Sequence, residues 1–220
     1  MPTDASHDLS LFFDILQTLE DIAAPYMIIG AFAATLYGST RVTYDIDIVV
    51  DLSEEHIEAL AAAYPLPRYY ADPQQMRDSV RLGTMFNIID STLGEKADLV
   101  PLTMAAQYRE AFVRRIRQHI SVPGIGAFDV WCARADDVIV GKLLAWAEGR
   151  SRKHEIDLIE MMVAYFLDAD PMLAATLDIP YVTARAAELG DDVAAFWQAI
   201  VEAARRQAEE EMPSSFLPPS

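Results

Sequence analysis

Basic residues, cysteine and long apolar runs are all scarce in this sequence. Its 220 residues include 17 lysines and arginines against 34 aspartates and glutamates, which gives a formal net charge of −17. This charge disfavours non-specific binding to nucleic acid or to an anionic membrane, because phosphate groups are bound by local positive charge. A locally basic cleft is still compatible with this net negative charge.

Cysteine occurs once, at Cys132, which excludes an intramolecular disulfide and a cysteine-based zinc site. Its neighbours Val130 and Trp131 are apolar, and this favours a buried thiol over a nucleophile. No apolar run approaches the roughly 18 residues of a membrane span, and the polar, acidic start MPTDASHDLS is unlike a signal peptide. We therefore expect a cytoplasmic protein that does not bind a membrane.

The most informative stretch is 26–51, YMIIGAFAATLYGSTRVTYDIDIVVD. It predicts an apolar strand, a turn at Gly30, a small-residue helix, a polar loop and a second apolar strand that carries Asp45 and Asp47. Residues two apart in a strand point to the same face, so these carboxylates should lie side by side. Such a pair in an apolar strand is costly unless it is paired or binds a metal, and a divalent cation would also relieve its repulsion.

The remaining pattern predicts mixed elements first and helices afterwards. An amphipathic helix over 9–22 precedes the stretch, and Ser53 and Asp72 open two further helices. Apolar runs over 85–89 and 97–102 have hairpin-like spacing. Strands are expected over 115–122 and 128–133, and helices over 136–149, 153–167, 181–189 and 193–211. This order predicts an α+β fold with a domain over 1–133 and a helical domain over 134–220 packed on it.

Asp98, on the second strand of the predicted hairpin, supplies a third acid to go with Gly30, Asp45 and Asp47. A glycine turn, an Asp-x-Asp strand and a later acidic strand suit a two-metal phosphoryl-transfer site. Mg²⁺ takes few carboxylates together with phosphate and water oxygens, and two such ions can clamp the attacking and leaving oxygens. Asp98 would then be a metal ligand or a general base. Gly30 would let backbone N–H groups approach a triphosphate.

These residues resemble the nucleotidyltransferase superfamily related to DNA polymerase β. Its motif is hydrophobic-Gly-(Gly/Ser), a spacer of 9 to 13 residues, and Asp-hydrophobic-Asp. Here Ile29-Gly30-Ala31 is followed by 13 residues and then Asp45-Ile46-Asp47. The run Arg41-Val42-Thr43-Tyr44-Asp45-Ile46-Asp47 is most similar to the bacterial minimal and AbiE-type toxin branch. The resemblance implies a nucleotidyltransferase-like mixed β-sheet flanked by helices, with a helical C-terminal half.

The resemblance continues through Lys96-Ala97-Asp98-Leu99 and into the helical half, where DDVIVGKLLA and KHEIDL match later lysine and aspartate motifs at Lys142 and Asp157. It implies two Mg²⁺ ions held by Asp45, Asp47 and Asp98, and a nucleoside triphosphate substrate. That substrate would be contacted by residues of the motifs, namely Gly30, Ala31, Arg41, Thr43, Lys142 and Asp157. The implied activity is transfer of a nucleoside monophosphate to an acceptor hydroxyl on RNA, tRNA included, or on protein. The implied setting is a toxin–antitoxin or phage-defence system with an antitoxin partner.

Two departures from the family pattern leave alternatives open. Ala31 stands where Gly or Ser is usual, and His154 replaces the aspartate of a Lys-Asp pair. A catalytically weak nucleotide-binding or antitoxin-like module of the same fold is therefore the second interpretation. An aminoglycoside-type nucleotidyltransferase is a third. Basic residues clustered in two short runs could be ordinary helix-face charge or a track for RNA phosphates. These residues are Arg109, Arg114, Arg115, Arg117, Arg150, Arg152 and Lys153.

Overall fold

A computed structural model of the chain describes residues 10–41, 46–104, 107–122 and 126–211. These residues form two compact units. The first holds the described residues up to 32 and from 46 to 133, and the second holds 33–41 and 134–211. Among these residues no helix has both the length and the apolar character of a membrane span.

The first unit is built on a mixed β-sheet. Its described strands are β1 (Tyr26–Ile29), β2 (Asp47–Val50), β3 (Tyr69–Tyr70), β4 (Phe86–Asp90), β5 (Glu95–Pro101), β6 (Ile116–Val122) and β7 (Gly126–Cys132). They lie in the order β3-β4-β5-β2-β1-β7-β6. The β1–β7 and β2–β5 pairs are parallel, and the other neighbours are antiparallel. The central strands β2 and β5 are therefore parallel neighbours, although residues 51–94 separate them in sequence.

Helices cover this sheet. They are α1 (Ser10–Asp21), α3 (Glu54–Ala63), α4 (Pro73–Leu82), α5 (Gln107–Arg114) and the first residues of α2 (Gly30–Thr35). Local signals set two helix starts. Ser53 accepts a hydrogen bond from the His56 backbone N–H, and Asp72 accepts one from Gln74 before Pro73 at the first helical position. Both are N-caps that satisfy backbone donors left free at a helix start.

The core of this unit joins the apolar face of α1 to the strands. Leu16, Ile15 and Leu19 are almost wholly buried, as are Met27 and Ile48 in the central strands. Burying an apolar side chain of this size stabilises the fold by roughly 1.5–3 kcal/mol. Cys132 lies in the same core and is fully buried. Burial raises the pKa of its thiol to about 12. The expected buried thiol is confirmed.

The second unit is helical. Besides the end of α2 it contains α6 (Ala135–Gly149), α7 (Arg152–Phe166), α8 (Pro171–Thr176), α9 (Ile179–Leu189) and α10 (Asp191–Glu211). Trp197 of α10 is buried, and its indole N–H donates to Thr183 of α9 at 3.0 Å. Buried Leu143 and Met161 contribute to the same core from α6 and α7.

The predicted α+β class, with helices following the sheet, is confirmed. The sequence missed two short elements, β3 and α8. Gly30, predicted as a turn, is the first residue of α2 and has a φ of +71°. The second strand, predicted to include Asp45, begins at Asp47 in the described residues. The expected packing of one half on the other stays a prediction.

Candidate functional site

The sheet brings two of the predicted carboxylates side by side. Asp47 is the first residue of β2 and pairs directly with Asp98 of the parallel strand β5. Neighbouring strands lie about 4.8 Å apart, and directly paired residues project from the same face. Both side chains are half-buried. Two ionised carboxylates at this spacing repel each other, which makes the position favourable for a cation.

Asn87 extends this polar row by one strand. It pairs with Asp98 in the β4–β5 hairpin, and its side-chain amide donates to Asp98 Oδ1. Lys96, two residues before Asp98 on the same strand face, donates to Oδ1 at 3.0 Å and to Oδ2 at 3.1 Å. The sequence interpretation missed Asn87, although an amide inside the apolar run FNII was a usable signal.

Gly30 lies against the carboxylate of Asp47. A Cβ added to Gly30 would overlap Asp47 Oδ2, and the positive φ of Gly30 also disfavours a side chain. Glycine is therefore required here both by the backbone and by the space. Ala31, the next residue, is half-buried at the start of α2 and presents no hydroxyl to a ligand.

The other half of the Asp-x-Asp motif lies outside the described residues. Asp45 and Thr43 fall in the gap between Arg41 and Ile46, so their roles stay predictions. Within the described ranges, no group of three or more His, Cys, Asp or Glu side chains could hold a metal ion. Asp47 and Asp98 fit Mg²⁺ as donors, because Mg²⁺ takes one or two carboxylates and completes its octahedron with water and phosphate oxygens.

Replacing Gly30 by alanine tests the close approach to Asp47. We expect the Gly30→Ala variant to lose about 1–2 kcal/mol of unfolding free energy, because an L-residue at this φ is strained. It should also bind Mn²⁺ at least tenfold more weakly, a loss typical of a displaced neighbour of a metal ligand. Equilibrium urea unfolding and Mn²⁺ titration by electron paramagnetic resonance measure the two effects.

Gly141→Ala is the matched control for that substitution. Gly141 is in α6, and a Cβ there would meet nothing within 4 Å. Alanine in a helix interior is favoured over glycine by about 0.5–1 kcal/mol, so this variant should be slightly more stable and should bind Mn²⁺ unchanged. Wild-type Mn²⁺ affinity in Gly30→Ala would show that the contact with Asp47 does not matter for the metal.

The second unit places three other predicted site residues in one buried ion cluster. Asp157 of α7 accepts from Arg41 Nε at 2.9 Å and from a second guanidinium nitrogen at 3.2 Å. The first bond is to Oδ1 and the second is to Oδ2, and Oδ2 also accepts from Lys142 Nζ of α6. The Asp157 and Lys142 side chains are only 1% and 5% exposed. One carboxylate thus serves two cations.

Burial and hydrogen bonding act in opposite directions on the pKa of Asp157. Burial alone would raise the pKa of this carboxyl, but the hydrogen bonds from Arg41 and Lys142 outweigh it and hold the pKa below its ordinary value of 3.8. The hydrogen bond that Arg41 donates to Asp157 also raises the pKa of the Arg41 guanidinium. The carboxylate therefore stays ionised at neutral pH, which keeps the cluster intact.

Glu160, one turn after Asp157, is a residue that the sequence interpretation missed. Its carboxylate accepts from the Thr40 backbone N–H and hydroxyl, both at 2.8 Å, and from Ser39 at 3.1 Å. Ala164, one turn further on, lies so close to Gly38 that a Cβ on this glycine would overlap it. The spacing 157, 160 and 164 places all three on one face of α7. This face holds the backbone of 38–41.

His154 lies near the same cluster. Burial lowers the pKa of its imidazole, and the charges of Lys142 and Lys153 lower it further. Its Nδ1 is buried and has no hydrogen-bond partner among the described residues. His154 is therefore neutral at pH 7, so it cannot replace the negative charge of the aspartate that the family motif carries.

The arginines that the sequence singled out between 109 and 117 are partly engaged within the first unit. The guanidinium groups of Arg115 and Arg117 stack on the Trp131 ring, 4.8 and 5.2 Å from its centroid. Arg117 also forms an ion pair with Glu20. Arg109 remains exposed on α5. This arrangement favours intramolecular roles for Arg115 and Arg117 over an open basic track.

The predicted site residues that the structure describes thus form two groups. Gly30, Asp47 and Asp98 come together on the sheet of the first unit, with Ala31 beside Gly30. Arg41, Lys142 and Asp157 come together in the helical unit. Each group is built from residues far apart in sequence, so the fold rather than local sequence assembles it.

No protein-family model matches the chain. Comparison with curated proteins likewise gives no significant match.

Several solved structures are distantly similar. One is a candidate nucleotidyltransferase from H. pylori, 16% identical, with a TM-score of 0.46 over 97% of this chain and 100% of that one. Another is JHP933 from Helicobacter pylori, 14% identical, with a TM-score of 0.37 over 96% and 97% of the two chains. A third is the antibiotic-resistance factor ANT(2'')-Ia, 16% identical, with a TM-score of 0.39 over 92% and 97%. At this distance, a function has to be argued from the side chains of the site.

Proposed function

We propose that this protein is a Mg²⁺-dependent nucleotidyltransferase that moves a nucleoside monophosphate from a nucleoside triphosphate to an acceptor hydroxyl. The observation that carries the proposal is the direct pairing of Asp47 with Asp98 on parallel strands, with Gly30 against Asp47. Asp45, two residues from Asp47, would complete a three-carboxylate set. The Gly30–Asp47 motif spacing described above supports the same activity.

Each carboxylate has a role in the proposed reaction. Asp47 and Asp45 would hold the metal ions, and Asp98 would be a third ligand or take the proton of the acceptor hydroxyl at a carboxylate oxygen. The bound metal supplies charge neutralisation for the attacking and leaving oxygens. A new bond joins the acceptor oxygen to the α-phosphorus, and the bond from that phosphorus to pyrophosphate breaks.

The helical cluster would act on phosphate charge. Lys142 and Arg41 are cations that both contact Asp157. These cations would suit the anionic oxygens of a triphosphate, and Thr43 would add a hydroxyl. By the sequence resemblance, the acceptor would be RNA, tRNA included, or protein, and the setting a toxin–antitoxin or phage-defence pair.

The test is transfer of label from nucleoside triphosphates to total RNA and total protein. With a label on the α-phosphate the acceptor should become radioactive, and with a label on the γ-phosphate it should not, because the γ-phosphate leaves in pyrophosphate. Label on the acceptor from both positions would indicate another reaction. Absence of Mg²⁺-dependent α-label transfer with all four triphosphates would contradict the proposal.

A nucleotide-binding module without turnover is the second candidate. Ala31 offers no hydroxyl, and both oxygens of Asp98 already accept hydrogen bonds from Asn87 or Lys96. Such a module, for example an antitoxin-like protein, would be stabilised against heat by Mg²⁺ and a triphosphate but would transfer no label. Binding together with turnover would eliminate it.

A further inference from the structure

Both oxygens of the third carboxylate of the site accept hydrogen bonds from neighbouring side chains. Asp98 Oδ1 accepts from the Asn87 amide and from Lys96 Nζ, and Oδ2 accepts from Lys96 Nζ at 3.1 Å. A metal ion would need one of these oxygens. The Lys96 ammonium already holds a positive charge beside both of them, so it competes with the metal ion for the same carboxylate.

The two donors differ in how firmly they are held. Asn87 is half-buried and lies directly opposite Asp98 in the hairpin, so the sheet fixes its amide. Lys96 is at the rim with 56% of its side chain exposed, on a flexible four-carbon stem that can reorient at little cost. Asn87 engages Oδ1, so withdrawal of Lys96 alone would release Oδ2.

The negative charges of Asp47 and Asp98 favour the position of the Lys96 ammonium beside Asp98. Asp47 and Asp98 are neighbours on parallel strands, and their repulsion favours a nearby cation whenever no metal is bound. A lysine supplies one positive charge. A divalent ion supplies two and binds oxygen directly, so it can displace an exposed ammonium.

We propose that Lys96 is a displaceable cation that occupies Asp98 until a metal ion takes its place, and that Asn87 is the fixed donor that orients Asp98 for the metal. This inference rests on the proposed function, because it assumes that Asp98 is a metal ligand. Lys96 and Asn87 are both positioning residues. They affect metal affinity in opposite directions, although both donate to the same carboxylate.

Mn²⁺ binding to the intact chain, followed by electron paramagnetic resonance, tests the inference without any need for turnover. Lys96→Met removes the competing ammonium and should tighten binding about fivefold, the scale of one exposed ion pair. Asn87→Leu removes the orienting donor and should weaken binding about tenfold or more. Competition by Mg²⁺ should follow the same order.

Lys153→Met is the charge-matched control. Lys153 is an exposed lysine of α7, and its replacement changes the net charge by the same unit as Lys96→Met. It should leave Mn²⁺ affinity unchanged. Thermal unfolding of each variant checks that the fold is retained.

Several outcomes would overturn the inference. Equal or weaker Mn²⁺ binding by Lys96→Met would show that Lys96 does not compete, while leaving the metal site itself intact. If Lys153→Met tightened Mn²⁺ binding as much as Lys96→Met does, the change in affinity would come from the overall charge and not from the position of Lys96. Absence of saturable Mn²⁺ binding in both the wild type and Lys96→Met would remove the metal site, and the proposed function with it.

Discussion

The Asp47→Asn variant is expected to transfer label from an α-labelled triphosphate at least about a thousandfold more slowly than the wild type. A bound metal contributes several kcal/mol to the stabilisation of transferring phosphate charge, and each 1.36 kcal/mol corresponds to a factor of ten in rate. Asparagine keeps the size of the side chain but removes the charge that holds the metal. Initial rates at saturating Mg²⁺ and triphosphate measure the loss.

Stability separates this effect from misfolding. Asp47 lies beside Asp98, so removal of one negative charge relieves their repulsion, and the unfolding midpoint of the variant shows whether the fold is retained. Asp129→Asn, at an exposed carboxylate of β7, is the matched control and should keep the wild-type rate. A thousandfold loss accompanied by a large drop in stability, or no loss at all, would contradict the role given to Asp47.

The largest effect on stability is expected at Asp157. Replacing it by asparagine leaves Lys142, which is only 5% exposed, and Arg41 without their shared carboxylate. Removal of one partner from a buried ion pair typically costs about 3–5 kcal/mol. Urea unfolding at pH 7 should show a loss of this size for Asp157→Asn and almost none for Glu155→Gln on the same helix.

The pH dependence of that loss has a defined sign. The pKa of Asp157 lies below its ordinary value of 3.8 in the folded protein, so the unfolded chain takes up the proton first as the pH falls. The stabilisation by Asp157 is present above about pH 4 and is lost as the pH falls through the folded pKa. The difference between wild type and Asp157→Asn should therefore shrink below pH 4.

A second substitution tests whether the buried Lys142 ammonium causes the loss of stability in Asp157→Asn. Combining Lys142→Met with Asp157→Asn should recover part of the stability, because a buried apolar side chain costs less than a buried ammonium that has lost its Asp157 carboxylate. A cost for Asp157→Asn below about 1 kcal/mol, or no recovery in the double variant, would show that the cluster is not a main source of stability.

Local signals in the sequence predicted local structure well. Ser53 is the N-cap that was expected, and Asp72-Pro73 begins a helix as expected, because these signals depend only on the few residues that follow them. The two-residue strand β3 was missed, since its pairing with β4 leaves no periodic pattern. Gly30 was expected as a turn, and only the structure shows that it begins a helix against Asp47.

The candidate site was predictable in its residue types but not in its neighbours. The motif spacing indicated Asp47 and Asp98, yet nothing local fixes their direct pairing, which depends on β2 and β5 being parallel. Glu160 was missed for the same reason, whereas Asn87 was missed although its amide inside the run FNII was a usable signal. Each acts on a residue that the fold brings close, Asp98 for one and Thr40 for the other. The roles given to Asp45 and Thr43 stay predictions.

The assignment of 33–41 to the helical unit also bears on synthesis of the chain. Arg41 and Asp157 are 116 positions apart, so at roughly 5–20 residues per second the ribosome makes the first about ten seconds before the second. Until then Ala33, Ala34 and Tyr37, all buried in the finished protein, have no helical core to enter. A nascent chain should therefore expose this segment to chaperones and proteases until α7 emerges.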